Sequence, residues 1–481
     1  MVRHDAFRQA AGSKAGACRI RSRRAVSILA LLTCSLLTVT PASAESISGA
    51  LARAYGFNPD LNAQRAAGRA TDENLPTALS GYRPTVTATA DIGRNFQESS
   101  GGGGGGGLGG SVASTPRGFG VSVSQNLWNG NRTQNSVRRA DSQIMQSRET
   151  IRLVEQNILS SAATSYMNVL RDTAILNLRR NNTEVLEQQL RQTRDRFQVG
   201  EVTRTDVAQA EASLAQGQAD AFTAQSNLQT SIANYRQIVG VEPRNLQPAR
   251  PLEKLLPRSL NAALASSLTE HPAIQAALHN VDTAALNVKV IEGQLYPTVG
   301  VTGSVSRRYD AINNPDSRTL SASVVGSLSV PIYEGGAVYA GIRQAKELLG
   351  QARLQADLQR EQIRAQVVSS WGIWLNSRSV IDAAQAQVRA AEIALNGVRE
   401  EAKVGQRTTL DVLNAQQLLL NARVQLVTAQ RDRVVGSYAV LAAIGRLSAS
   451  RLGLSVVAYD PSIHYDQVKG KWIGTRTPDG R

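Results

Sequence analysis

Four stretches of the chain alternate apolar with small or polar residues at a period of two. Val86, Ala88, Ala90 and Ile92 alternate with Thr87, Thr89, Asp91 and Gly93, and Phe119, Val121 and Val123 with Gly120, Ser122 and Ser124. Later, Val299, Val301 and Val305 alternate with Thr298, Thr302, Ser304 and Ser306. Finally, Leu320, Ala322, Val324, Leu328, Val330 and Ile332 alternate with Ser321, Ser323, Ser327 and Ser329. This period predicts strands with one apolar and one small, polar face. A transmembrane β-barrel has that pattern, apolar towards lipid and polar towards a lumen, although a soluble sheet with one wet face shares it. Tyr82, Trp128, Tyr296 and Tyr333 fall at the strand ends, where interfacial aromatics belong, and they shift the reading towards the membrane.

Elsewhere the pattern is helical. Short helical segments are predicted over 46–80 and 259–294, each just before a strand pair. No proline occurs from Arg117 to Glu242 or from Ile332 to Asp460, so residues 130–198 can form one helix of roughly 100 Å. After Val199-Gly200-Glu201 the chain returns as a second helix to about Val239. On it Val207, Ala210, Leu214, Gly217, Ala221, Ala224, Leu228, Ser231, Tyr235 and Ile238 recur at spacings of three and four. Val412, Ala415, Leu419, Ala422, Leu426 and Ala429 do the same further on. Both are heptad seams rich in small residues, so the helices are expected to approach closely.

These elements belong to an internal repeat. Residues 46–86 align without gaps to 259–299, placing Pro59 on Pro272, and residues 126–240 align to 331–445. Trp128-Asn129-Gly130 meets Tyr333-Glu334-Gly335, Val199-Gly200 meets Val404-Gly405, Asp206-Val207 meets Asp411-Val412, and Gly240 meets Gly445. The first copy carries a longer loop, glycine-rich from Gly101 to Gly110. The expected organisation is a leader at 1–44, a first repeat at 45–240, a proline-rich linker at 241–258, a second repeat at 259–445, and a polar tail at 446–481 that is peripheral after Pro461.

Composition changes the picture mainly at the start. The 481 residues carry 53 Lys+Arg against 38 Asp+Glu, net +15. Seven of those bases and one acid lie in residues 1–44; the remainder is net +9, with bases and acids interleaved, which gives no nucleic-acid footprint. Arg21, Arg23 and Arg24 precede an apolar stretch from Val26 to Val39 and then Pro41-Ala42-Ser43-Ala44. That is the form of a secretory signal cleaved after Ala44; the apolar stretch is short for a membrane anchor. Cys34 is poorly placed for a lipoprotein signal. Both cysteines, Cys18 and Cys34, lie in the leader, so the mature chain is expected to lack disulfides and thiolate chemistry.

Geometry then calls for an assembly. Four strands cannot close a barrel, and an open sheet edge is not tolerated in lipid. Several copies must share one barrel, and three would supply twelve strands and twelve helices.

The segments VGEVTRTDVAQAEASL (199–214) and VGQRTTLDVLNAQQLLLNAR (404–423), at matching places in the two repeats, resemble the TolC family of outer-membrane export channels. The resemblance extends over essentially the whole mature chain and is strongest to the efflux and type I secretion subgroup of alphaproteobacteria. It implies a mixed α+β membrane protein: a trimeric 12-stranded transmembrane β-barrel, four strands per chain, continued by a long periplasmic α-helical coiled-coil tunnel. It further implies a homotrimer in the outer membrane, passive conduction, a periplasmic adaptor protein, and an inner-membrane RND or ABC transporter as the power source. No cofactor or metal is implied.

The same resemblance assigns roles at the helical turns. Val199, Gly200 and Glu201 with Val404, Gly405 and Gln406 match the adaptor-docking tips, although a glycine ending a helix is otherwise simply a C-cap. Glu201 and Gln406 stand where relatives often have leucine. Thr205, Asp206, Arg407 and Asp411 match the latch closing the tunnel entrance, with Arg407 reaching towards Thr205 and Asp206. Asp206 and Asp411 are also well placed to cap helices. The family's second ring acid falls on Asn414 and a latch tyrosine on Ala402, which implies a latch that is weaker or differently built. No enzymatic constellation appears: His271, His279 and His464 lack a second ligand set, and the glycine run lacks a following Gly-Lys-Ser/Thr. A non-conducting trimeric coiled-coil envelope protein is the competing class. It does not explain the amphipathic strand pairs, and a diffusion porin would lack the long helices.

Overall fold

The computed structural model describes residues 45–98, 111–311 and 314–480. The expected leader at 1–44 and the Gly101–Gly110 run lie outside the described residues. In chain order, helices α1 (Ile47–Phe57), α2 (Pro59–Asp72) and α3 (Asn74–Leu79) lead into strand β1 (Thr85–Ile92). A small hairpin, β2 (Asn95–Glu98) with β3 (Ser111–Ser114), precedes β4 (Arg117–Trp128), and then come α4 (Arg132–Gln198) and α5 (Arg204–Val239). The order recurs as α6 (Leu260–Glu270), α7 (Pro272–Glu292), β5 (Thr298–Ala311), β6 (Asn314–Ser329), α8 (Ala337–Lys403) and α9 (Thr409–Ala443). Helix α10 (Pro461–Val468) follows.

The single helical segments expected at 46–80 and 259–294 are each broken at a proline. Asn58 and His271 leave helical geometry and cap the helix that Pro59 or Pro272 opens. The Asn58 side chain accepts from the Asp60 and Leu61 amides, and His271 Nδ1 accepts from the Ala273 amide at 3.2 Å. Proline at the first helical position costs no hydrogen bond there, since that amide has no partner within the helix.

β1, β4, β5 and β6 form one antiparallel sheet in the order β1-β4-β5-β6. Its register carries the sequence alternation across all four strands. Ala88, Val121, Val305 and Ala322 stand in one row, and Thr87, Ser122, Ser304 and Ser323 in the next. One face is therefore apolar over its central rows and exposed in the chain, and the other is lined mainly by hydroxyls, with Ser304 and Ser323 hydrogen-bonded at 2.9 Å. The last strand stops at Ser329, short of the expected Ile332, because Pro331 has no amide to donate to the ladder. Among the described residues, β1 and β6 each pair on one side only within this sheet.

α4 and α8 are unbroken helices of 67 residues each, which corresponds to about 100 Å. Their partners pack along the small-residue seams. In α5, Ala210, Gly217, Ala224 and Ser231 are buried at intervals of seven, and in α8 Ile363, Ser370, Ser377, Ala384 and Ala391 repeat the spacing. A Cβ on Gly217 would lie 2.7 Å from Leu186 Cδ1, so a side chain there would displace the end of Leu186 from the seam.

The largest apolar core gathers α1, α4, α5, α7, α8 and α9 around Tyr166, Tyr235 and Tyr438. The linker is sewn into it: the Tyr166 hydroxyl shares its one proton between the carbonyls of Glu45 and Gln247, 2.7 Å from each, and the Leu252 amide donates to Ser437. Glu45 is buried, its carboxylate accepting from Tyr235 at 2.6 Å and pairing with Arg53 at 3.2 Å. Leu447 and Ala449 belong to the core. The tail after Pro461 is not peripheral as expected: α10 docks on α2 through the buried Val468 and a 2.9 Å contact between His464 Nδ1 and Asp72. Polar partners hold this helix, which is why its composition reads as surface.

Candidate functional site: the two helical tips

The two helix pairs end in turns of the same construction. At the first, the Gly200 amide donates to the Phe197 carbonyl (3.0 Å) and the Glu201 amide to the Arg196 carbonyl (2.9 Å). At the second, Gly405 donates to Ala402 (3.3 Å) and Gln406 to Glu401 (3.0 Å). This crossed pair of bonds is the Schellman closure, which needs a left-handed residue after the cap. Gly200 and Gly405 supply it at φ 81° and 78°. With the backbone satisfied, Val199 and Val404 are thrust outward at 72% and 71% exposure. Two valines of this kind, each beside a glycine with open space around it, make a matched pair of small apolar knobs.

The return helices open on reciprocal capping boxes. Thr203 Oγ1 accepts from the Asp206 amide while the Asp206 carboxylate accepts from the Thr203 amide and hydroxyl; Thr408 and Asp411 repeat this. These bonds hold both carboxyls below the ordinary aspartate range, chiefly through the Thr203 side chain at Asp206 and the Thr408 amide at Asp411. Both acids therefore stay ionised, and their capping role is structural fact.

Around the caps, charge is arranged with opposite polarity in the two repeats. Arg196 at the end of α4 pairs with Glu201 on the turn at 2.9 Å, whereas Glu401 at the end of α8 pairs with Arg407 on the turn at 2.8 Å. The Glu401 carboxylate raises the Arg407 pKa further. Within the chain Arg407 thus faces Glu401, and Asp206 faces its own cap. Thr205 and Gln406 are exposed, Asn414 is exposed, and Ala402 is half-buried against the small apolar cluster of Ala391, Leu395, Val412, Leu419 and Ala422.

Three groups here escaped the sequence reading. Thr203 was legible, since Thr203-x-x-Asp206 is a capping-box spacing. Arg196 and Glu401 look like ordinary solvated helix charges. The third is a bond between the two helix pairs: Gln416 Nε2 donates to Asn182 Oδ1 at 3.1 Å, with both side chains buried and Gln416 Oε1 unpaired. Their separation along the chain gives no local signal. Among the described residues no group of three His, Cys, Asp or Glu could hold a metal ion, and no helix is long and apolar enough to cross a membrane.

Residues 50–241 and 263–446 match the family described as outer membrane efflux protein, one match per repeat. The chain is 42% identical over 457 residues to the outer membrane efflux protein BepC of Brucella suis, covering 95% of this chain and 97% of that one. It is 26% identical over 427 residues to the outer membrane protein TolC of Escherichia coli, covering 85% and 84%. Its fold is similar to the crystal structure of the Campylobacter jejuni CmeC outer membrane channel, with a TM-score of 0.75 over 88% of this chain and 89% of that one at 18% identity. Two family matches in tandem, on a sheet and helix pairs of this construction, establish that the chain belongs to the outer membrane efflux protein family.

Proposed function

We propose that this outer-membrane efflux channel works as a homotrimer whose three sheets close one 12-stranded barrel above a periplasmic helical tunnel. It passively conducts cargo delivered by a periplasmic adaptor and an inner-membrane RND or ABC transporter. The observation that carries the reading is the four-stranded sheet: apolar on one face, hydroxyl-lined on the other, and open at β1 and β6. Such edges must be paired in lipid, and a neighbouring chain's β6 against β1 pairs them without any further element.

The tips are the adaptor's docking points, with Val199, Gly200 and Glu201 on one turn and Val404, Gly405 and Gln406 on the other. Thr205, Asp206, Arg407 and Asp411 form the entrance gate, with Arg407 reaching the neighbouring repeat or chain. Support comes from their position at the turn that ends each helix pair. An exposed ion pair of this kind is weak and screened by salt, so an adaptor can outcompete it. Planar-bilayer recordings test the gate. Arg407→Ser and Asp206→Asn, the latter keeping an acceptor for the cap, should conduct several-fold more than wild type, and Asp411→Asn should mainly lower cation selectivity. Wild-type conductance in both Arg407→Ser and Asp206→Asn would place the gate elsewhere.

A further inference from the structure

We propose that the lipid-facing side of the barrel carries, at its outer rim, a binding site for the phosphate groups of an outer-leaflet glycolipid, formed by Arg117, Arg307 and Arg318 around Tyr309. The register places these residues. Tyr309 pairs with Arg117 on β4 and with Arg318 on β6, and Arg307 pairs with Phe119 and Leu320. Each lies an even number of positions from Val121, Val305 or Ala322, so all four share the apolar face and not the hydroxyl face. All three arginines are exposed. The guanidinium carbons of Arg117 and Arg307 stand 5.7 and 5.4 Å from the Tyr309 ring centroid, so two cations converge on one half-buried aromatic.

Their depth follows from the strands. From Val299, level with Trp128 at the helix-bearing end, to Arg307 and Tyr309 is eight to ten residues of β5. At about 3.3 Å per residue and a tilt of 35–45°, that is roughly 20–25 Å, the height of a barrel's apolar band. Gly118–Trp128, Thr298–Ser306 and Thr319–Ser329 contain no ionisable residue. Charge begins abruptly where the band ends. The helices leave from the opposite rim into the periplasm, so the arginine rim meets the outer leaflet.

The rim's acids offset part of the cluster's charge and leave it net positive, three arginines against Asp310 and Asp316. Asp310 pairs with Arg117 at 3.6 Å, Asp91 approaches Arg308 on the hydroxyl-lined side at 3.9 Å, and Asp316 lies on β6 two residues before Arg318. Guanidinium groups bind phosphate through paired, charge-assisted hydrogen bonds, and at the edge of hydrocarbon a lipid phosphate is the anion within reach.

The proposal rests on the barrel, and its test separates the two. Native mass spectrometry of the detergent-solubilised assembly would follow added diphosphoryl lipid A, with phosphatidylethanolamine and inorganic phosphate as comparators. Wild type should retain lipid A, and Arg307→Gln and the pair Arg117→Gln/Arg318→Gln should each bind it on the order of tenfold more weakly. Lipid A stripped of its phosphates should bind wild type and variants alike. Equal binding of diphosphoryl lipid A by all three proteins would overturn the site. Displacement of lipid A by millimolar inorganic phosphate would also overturn it, in favour of a soluble-anion site. In parallel, a fluorophore on Val324→Cys in vesicles should be quenched by doxyl lipids in every background; loss of that signal would count against the barrel itself.

Discussion

At the residue scale, two glycines and two caps lock each return helix onto the first layer of its repeat. Gly240 ends α5 at φ 89°, and a Cβ there would lie 2.2 Å from Phe57 Cδ1; Gly445 follows α9 at φ 80°, and a Cβ would lie 2.6 Å from His271 Cα. Each glycine thus abuts the corner that Asn58 or His271 caps. His271 does this as a neutral imidazole, and burial pushes its pKa down from 6.5 to about 4. The unfolded chain takes up a proton near pH 6.5 while the folded chain resists until about pH 4, so stability is full above pH 6.5 and falls as pH drops through that window. The loss is up to roughly 1 kcal/mol per pH unit. His271→Asn keeps a good cap and removes the titration. Melting curves between pH 7.5 and 4 should show the wild type losing stability relative to this variant. Parallel curves would mean that His271 does not sense pH.

At the element scale, the tips combine a satisfied backbone with exposed apolar side chains, which is economical for a docking surface. Nothing lies within 4 Å of a Cβ placed on Gly200 or Gly405, so Gly200→Trp and Gly405→Trp meet only the backbone penalty of the left-handed region, about 1–2 kcal/mol each. Against the packing of the long helical seams that is small. Export should fall to background in both variants while the yield of assembled protein stays unchanged; undiminished export in both would remove the tips from adaptor docking. Much of this scale was legible in the sequence. Alternation from Val86 to Ile92 survives into the sheet because a strand's two-residue period puts one set of side chains on one face, in register with β4. Ala210, Gly217 and Ala224 are legible because close helix packing demands small residues every seventh position. The β2–β3 hairpin was not, since four residues per strand are too few for periodicity to register. Nor was α10, whose attachment depends on Asp72 meeting His464 from the far end of the chain. The Asn182–Gln416 bond shares that distance problem, and Arg196 and Glu401 have no signal beyond charge.

For the whole molecule, the repeat explains why one chain is insufficient. Each repeat contributes two antiparallel strands, and β4 joins β5 across the repeat boundary to make four. The twist of four strands neither closes a circle nor hides β1 and β6. In the proposed shared barrel, lipid selects the number of chains through strand pairing, and the helices follow because they are continuous with the strands. Three chains give twelve strands, within the range of known barrels. Native mass spectrometry of the detergent-extracted mature protein tests this most directly. The account predicts one dominant species at three times the mature chain mass, dissociating only when the detergent is exchanged for a denaturant; a stable monomer as the dominant species would contradict it.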